Sequence, residues 1–194
     1  MSDDRQNSFC VPFALGFIAG LTPNETAAAI KAYLVTTARS NAKHYTRVAR
    51  QHAEAGNDWK AGEYDKYAAN AAQRAAKNAR TPIKGVQTCL YTHPEFLASI
   101  GLKIKAHVGR PGMTIKSWCA VREKWGDKST WLVANSGHAL VYCDGRIYDN
   151  RNKAGVAYAD YEFATTRLRQ AELLERIDGT RFVPAPLPRQ FVAR

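Results

Sequence analysis

Three residues of this 194-residue chain have types that together permit acyl-transfer chemistry: Cys10, His138 and Asp149, in that order. A cysteine attacks a carbonyl as its thiolate, a neighbouring histidine takes and returns the proton, and a carboxylate fixes the imidazole. The relation between the last two follows from local pattern. In residues 135–150, NSGHALVYCDGRIYDN, alternating apolar residues flank Asp144-Gly145, the signature of a β-hairpin closed by a two-residue primed turn. With that loop, Cys143 faces Arg146, Tyr142 faces Ile147, Val141 faces Tyr148 and Leu140 faces Asp149. His138 then shares a face with Asp149, one diagonal step away and about 7 Å apart at the backbone, while Asn150 points to the other side.

These residues need a framework. The segment CVPFALGFIAGL (10–21) is apolar on nearly every face and reads as a buried helix. Its Pro12 is tolerated only in the first turn, which puts Cys10 where the helix begins. Unpaired N–H groups and the helix dipole favour a thiolate there. Thr22-Pro23-Asn24-Glu25 combines an N-cap, a proline at the first helical position and a glutamate at N3, so a second helix starts there. From about Thr36 to Ala79 the composition turns alanine-rich, with one interruption at Gly56-Asn57-Asp58. This predicts a helical hairpin, over 36–82, with Asp58 as the cap of its second arm. A short helix follows at His93-Pro94, then a strand over 102–108, a turn at Gly109-Arg110-Pro111-Gly112 and a helix over 114–126. Strands at 131–134, 138–143 and 146–149 form a small antiparallel sheet. A late helix is expected from Tyr161 to Arg176, before a proline-rich tail.

The fold class expected is α+β: one domain over 1–194, with an N-terminal helix carrying Cys10 packed on the sheet and the hairpin inserted. A 45% hydrophobic content is ample for a core. The N-terminal MSDDRQNS is polar, and no run approaches about 18 apolar residues, so no signal peptide or membrane contact is expected and the location expected is cytoplasmic. Cys10, Cys89, Cys119 and Cys143 show neither CxxC nor metal-ligand spacing with the histidines, so reduced thiols and no metal or cofactor are expected. Cys119 falls mid-helix, Cys143 on the face away from His138, and Cys89 has no partner in the pattern, so Cys10 is the candidate nucleophile.

FCVPFALGFIAGLT around Cys10, together with WLVANSGHALVYCDGRIYD, resembles the papain-like cysteine peptidase superfamily, particularly its small bacteriophage-encoded members. The resemblance covers residues 6–34 and 95–150. It implies a peptidase acting on a protein or peptide, with Cys10 as nucleophile, His138 as general base and acid, and Asp149 as orienting group. If the chain is phage-encoded, its place is the host cytoplasm. In papain a glutamine a few residues before the cysteine completes the oxyanion hole with the cysteine's backbone N–H; Gln6 and Asn7 are the candidates here, though neither has the papain spacing.

The hairpin lies outside that resemblance. Residues 31–84 hold eleven Lys or Arg against four Asp or Glu, a net +7 of the chain's +11. Arg39, Lys43, Arg47 and Arg50 fall on one helical face, with Tyr33, Tyr45, Tyr64 and Tyr67 nearby for stacking. This supports an alternative to catalysis: an inactive papain-like scaffold gripping an acidic host protein or a nucleic acid through the hairpin.

Overall fold

A computed structural model describes residues 10–83, 93–109 and 111–182 of the chain. The order is α1 (Cys10–Ala19), α2 (Pro23–Glu54), α3 (Asp58–Arg80), α4 (Pro94–Ser99), β1 (Leu102–Gly109), α5 (Ile115–Lys124), β2 (Thr130–Ala134), β3 (Ala139–Cys143), β4 (Arg146–Tyr148), β5 (Val156–Ala157) and β6 (Gln170–Arg176). The fold is mixed α+β, and the six strands make one antiparallel sheet in the order β1-β6-β2-β3-β4-β5. The chain divides into two compact units, Ala27–Val86 and the remainder. None of the described helices is long and apolar enough to cross a membrane.

In the larger unit the sheet has a helix on each face. On one, Phe17 of α1 packs on Tyr148 and Phe182, with ring centroids 5.0 and 4.8 Å apart. On the other, Trp118 of α5 meets Trp131 and Tyr142 edge-on at 5.3 and 5.6 Å. With both faces covered, β2 and β3 are buried along their whole lengths, and apart from Thr130, whose hydroxyl donates to Cys143 Sγ, their residues are apolar. At its far end α1 is held by the Arg176 guanidinium, which donates to the Ile18 carbonyl at 2.9 Å. A cation suits the exposed carbonyls of a helix C-terminus.

The expected start of α2 is realised as a reciprocal box. The Glu25 N–H donates to Thr22 Oγ1 at 3.2 Å, while Thr22 N–H donates to Glu25 Oε2 at 2.8 Å. The helix then continues unbroken for 32 residues.

Two expectations are corrected. The α3 cap is Asn57, whose side chain accepts from Lys60 N–H at 3.2 Å, so that Asp58 becomes the first helical residue. The late helix from Tyr161 to Arg176 does not form: turns occupy 162–165, and 170–176 is strand β6. AELLER is a good helix former by local preference, but preferences of a few tenths of a kcal/mol per residue yield to tertiary pairing. Here β6 is hydrogen-bonded on both sides, to β1 and β2.

The α1–α2 corner depends on Gly16. A methyl group there would lie 2.8 Å from the Leu21 carbonyl oxygen and closer still to Thr26 Oγ1. Gly16→Ala is expected to lower unfolding free energy by about 1–3 kcal/mol through overpacking. Denaturant titration checks this, and an unchanged midpoint contradicts the close approach.

Candidate active site

The hairpin register places the site. Asp144 and Gly145 have φ of 49° and 78°, both positive as a type I′ loop requires. Cys143 pairs with Arg146, Tyr142 with Ile147 and Val141 with Tyr148, as the sequence predicts. The ladder ends at that pair, so His138 and Asp149 stand just beyond the strands on either side of the open end. There His138 Nε2 meets Asp149 Oδ2 at 2.9 Å.

Asp149 is completely buried. Its Oδ2 also accepts from the Tyr161 hydroxyl at 2.9 Å. Oδ1 accepts from the N–H groups of Arg151 and Asn152 at 2.9 and 2.6 Å, and from the Asn152 side-chain amide at 3.2 Å. Burial opposes the charge, but the bonds from His138, Asn152, Tyr161 and Arg151 outweigh it and hold the carboxyl well below the usual carboxylate range. Tyr161 is pushed far up by burial and by the Asp149 charge, so it remains a neutral donor.

His138 is fixed from the backbone as well. Asn135 Oδ1 accepts from the N–H groups of Gly137 and His138 at 3.0 and 2.8 Å, and the Asn135 N–H donates to the His138 carbonyl at 3.0 Å. The Asn135 amide is itself anchored on Thr166 Oγ1 at 3.1 Å. With Nε2 committed to Asp149, Nδ1 is the nitrogen left to face Cys10.

Cys10 opens α1 and is 7% exposed. Burial alone favours the neutral thiol. Hydrogen bonding from His138, the Ala139 N–H, the charge of His138 and the Val11 N–H together reverse this and bring the thiol below its ordinary value. The Val11 N–H is one of the donors a helix start leaves without an internal partner. For His138, burial lowers and the bonds and charges of Asp149 and Cys10 raise, and the imidazolium persists to about pH 9. Both shifts favour a thiolate facing an imidazolium over the neutral thiol and imidazole.

The other cysteines differ. Cys119 is buried in the α5 face of the core and pushed up to about 12 by desolvation and the nearby Glu123 charge. Burial likewise raises Cys143. Cys89, Gln6 and Asn7 lie outside the described residues. Arg39, Lys43, Arg47 and Arg50 are exposed on α2, in the other unit, and none pairs with an acidic side chain among the described residues. Tyr45, Tyr64 and Tyr67 pack on one another, and Tyr64 stacks on His52 at 5.4 Å. Those rings thus hold the two helices of the hairpin together. Among the described residues, no group of three or more His, Cys, Asp or Glu is placed to hold a metal ion.

Sequence reasoning missed Asn135, Asn152, Tyr161 and Phe163, whose ring lies 6.1 Å from the imidazole. Asn135 was open to detection, since Asn-Ser-Gly is turn chemistry in which an Asn side chain bonds backbone two residues on. Tyr161 and Phe163 gave no signal, because their segment reads as helix.

Comparison with known proteins returned no matching family model, curated protein or solved structure.

Asp149→Ala is expected to cost about 3–5 kcal/mol near neutral pH, because it leaves a buried imidazolium without its partner. The Asp149 pKa is lower folded than unfolded, so its contribution is present above the ordinary carboxyl value of 3.8 and fades as pH falls below it. The stability gap between wild type and variant should therefore shrink in acid. Urea titrations on both sides of that value check the sign; a gap that is independent of pH contradicts it.

Proposed function

We propose that the protein is a papain-like thiol hydrolase, a cysteine peptidase that cleaves protein or peptide amide bonds through a thioester on Cys10. The observation that carries this reading is the hydrogen-bonded chain Cys10, His138, Asp149, with the sulfur at a helix start and the carboxylate buried and saturated with donors.

The thiolate of Cys10 attacks the amide carbon, and the carbonyl π electrons move onto oxygen. N–H groups at the start of α1 are donors suited to that oxyanion. As the tetrahedral species collapses, the C–N bond breaks and the departing amine takes the proton of His138 Nδ1, leaving a thioester and neutral imidazole. Water then enters; His138 Nδ1 accepts one of its protons as oxygen attacks the thioester carbon. Collapse of this second adduct breaks the C–S bond, frees the carboxylic acid and restores the thiolate beside an imidazolium. Asp149 keeps the ring in the orientation each proton transfer requires.

The test is cleavage of a broad peptide library, read by mass spectrometry as new termini. Wild type should generate them, and Cys10→Ala and His138→Ala should each be slower by at least about 10³-fold. Cleavage that persists in Cys10→Ala, or wild type that forms neither new termini nor an acyl adduct on Cys10, contradicts the proposal. Activity should also fall as pH rises through about 9, because the leaving amine then loses its proton donor.

A further inference from the structure

The outer face of α3 differs from the α2 stripe that the sequence draws attention to. Viewed along the helix, Trp59, Lys66, Gln73, Arg74, Lys77 and Arg80 fall within one sector, and all six are exposed. The opposite sector holds the buried Ala61, Ala71 and Ala75, so the packing of the hairpin uses none of the six. The sector runs for about 32 Å along the helix. Its single acidic pairing among the described residues is Glu63 with Lys66 at 3.0 Å, an exposed contact between side chains 36% and 74% accessible. Such pairs are weak and readily exchanged. Arg74, Lys77 and Arg80 have no acidic partner among the described residues and follow one another at i, i+3 spacing, where like charges repel. The C-terminal end of α3 favours Lys77 and Arg80 through the helix dipole, but it does not account for Arg74.

Two further features point to a ligand with a flat aromatic part. Trp59 is 75% exposed, the largest exposure among the large apolar side chains described. Gly62, one turn on and beside it, weakens the helix, yet a methyl group there would meet nothing within 4 Å. Nothing in the fold calls for a glycine at this position, whereas a ligand lying close against the helix beside the indole does. A polyanion with planar bases matches both the row of cations and the bare ring; an acidic protein surface matches the cations alone.

We infer that the outer face of α3 binds single-stranded nucleic acid, with the backbone tracking Lys66, Arg74, Lys77 and Arg80 and a base stacking on Trp59. The inference does not depend on the chemistry of Cys10, because every residue it uses lies on one helix of the Ala27–Val86 unit.

The test is fluorescence anisotropy of a labelled single-stranded oligonucleotide with the full chain across a salt series. Binding should weaken as salt rises, with a log–log slope of about −2 to −3 for three or four phosphate contacts. Lys66→Gln/Arg74→Gln/Lys77→Gln should lose most of the affinity and flatten the slope. Trp59→Ala should bind about tenfold more weakly with the slope kept. Cys10 alkylation at the wild-type rate and unchanged circular dichroism would show that the variants fold. The inference is overturned by no binding at low salt, by binding that these substitutions leave intact, or by a poly-glutamate peptide that competes as well as unlabelled oligonucleotide.

Discussion

The candidate site depends on a carboxylate removed from water. Asp149 is fully buried, and an ionised carboxylate in that position is costly unless donors surround it. Five do: two backbone N–H groups, an amide, a phenol and an imidazole. Four of the five come from chain that follows the β4 strand, so the turn after the hairpin and the Tyr161 segment have to be in place before the charge is tolerated. The fifth, His138, is the only one of the donors that can carry a full positive charge. The requirements of a buried anion and of an oriented, charged imidazole thus meet in one hydrogen bond.

The consequences pass outward along covalent structure. A type I′ loop sets the register of β3 and β4, and the register decides that His138 and Asp149 flank the open end of the ladder. The clamp by Asn135 then fixes where the imidazole leaves the backbone. From the other direction, α1 brings a helix start to the same point, held along its length by apolar packing and at its far end by Arg176. The sulfur receives N–H groups from both elements, Val11 of the helix and Ala139 of the strand. A thiolate placed where helix and sheet meet is stabilised by both.

Much of this was legible in the sequence because the signals were local. Asp144-Gly145 forces a turn type, a turn type forces a register, and a register places two side chains; each inference spans a few residues. The Thr22 capping box and the proline in the first turn of α1 are equally local. The failures have a common cause. Strand β6 is made of residues that prefer helix, and only pairing with β1 and β2, far away in sequence, overrides them. Misreading that segment also hid Tyr161, which supports Asp149 from within it. Asn57 took the cap from Asp58 because either residue can serve and only the geometry of the turn selects between them. In the hairpin, charge spacing located the α2 stripe, but it could not reveal that Trp59 and Gly62 stand exposed and unused on α3, since exposure belongs to the folded chain.

The central claim is that Cys10 rests as a thiolate because His138, held by Asp149, is charged beside it. The most direct measurement is the rate of Cys10 alkylation by iodoacetamide between about pH 4 and about pH 9, read by mass spectrometry in wild type and in His138→Ala, against an unperturbed thiol at about 8.5. The account predicts fast labelling of wild type that persists well below neutral pH, and in the variant a return to slow labelling that rises only as an ordinary thiol ionises. Wild type that already behaves as an ordinary thiol, with a profile the substitution leaves unchanged, would contradict it.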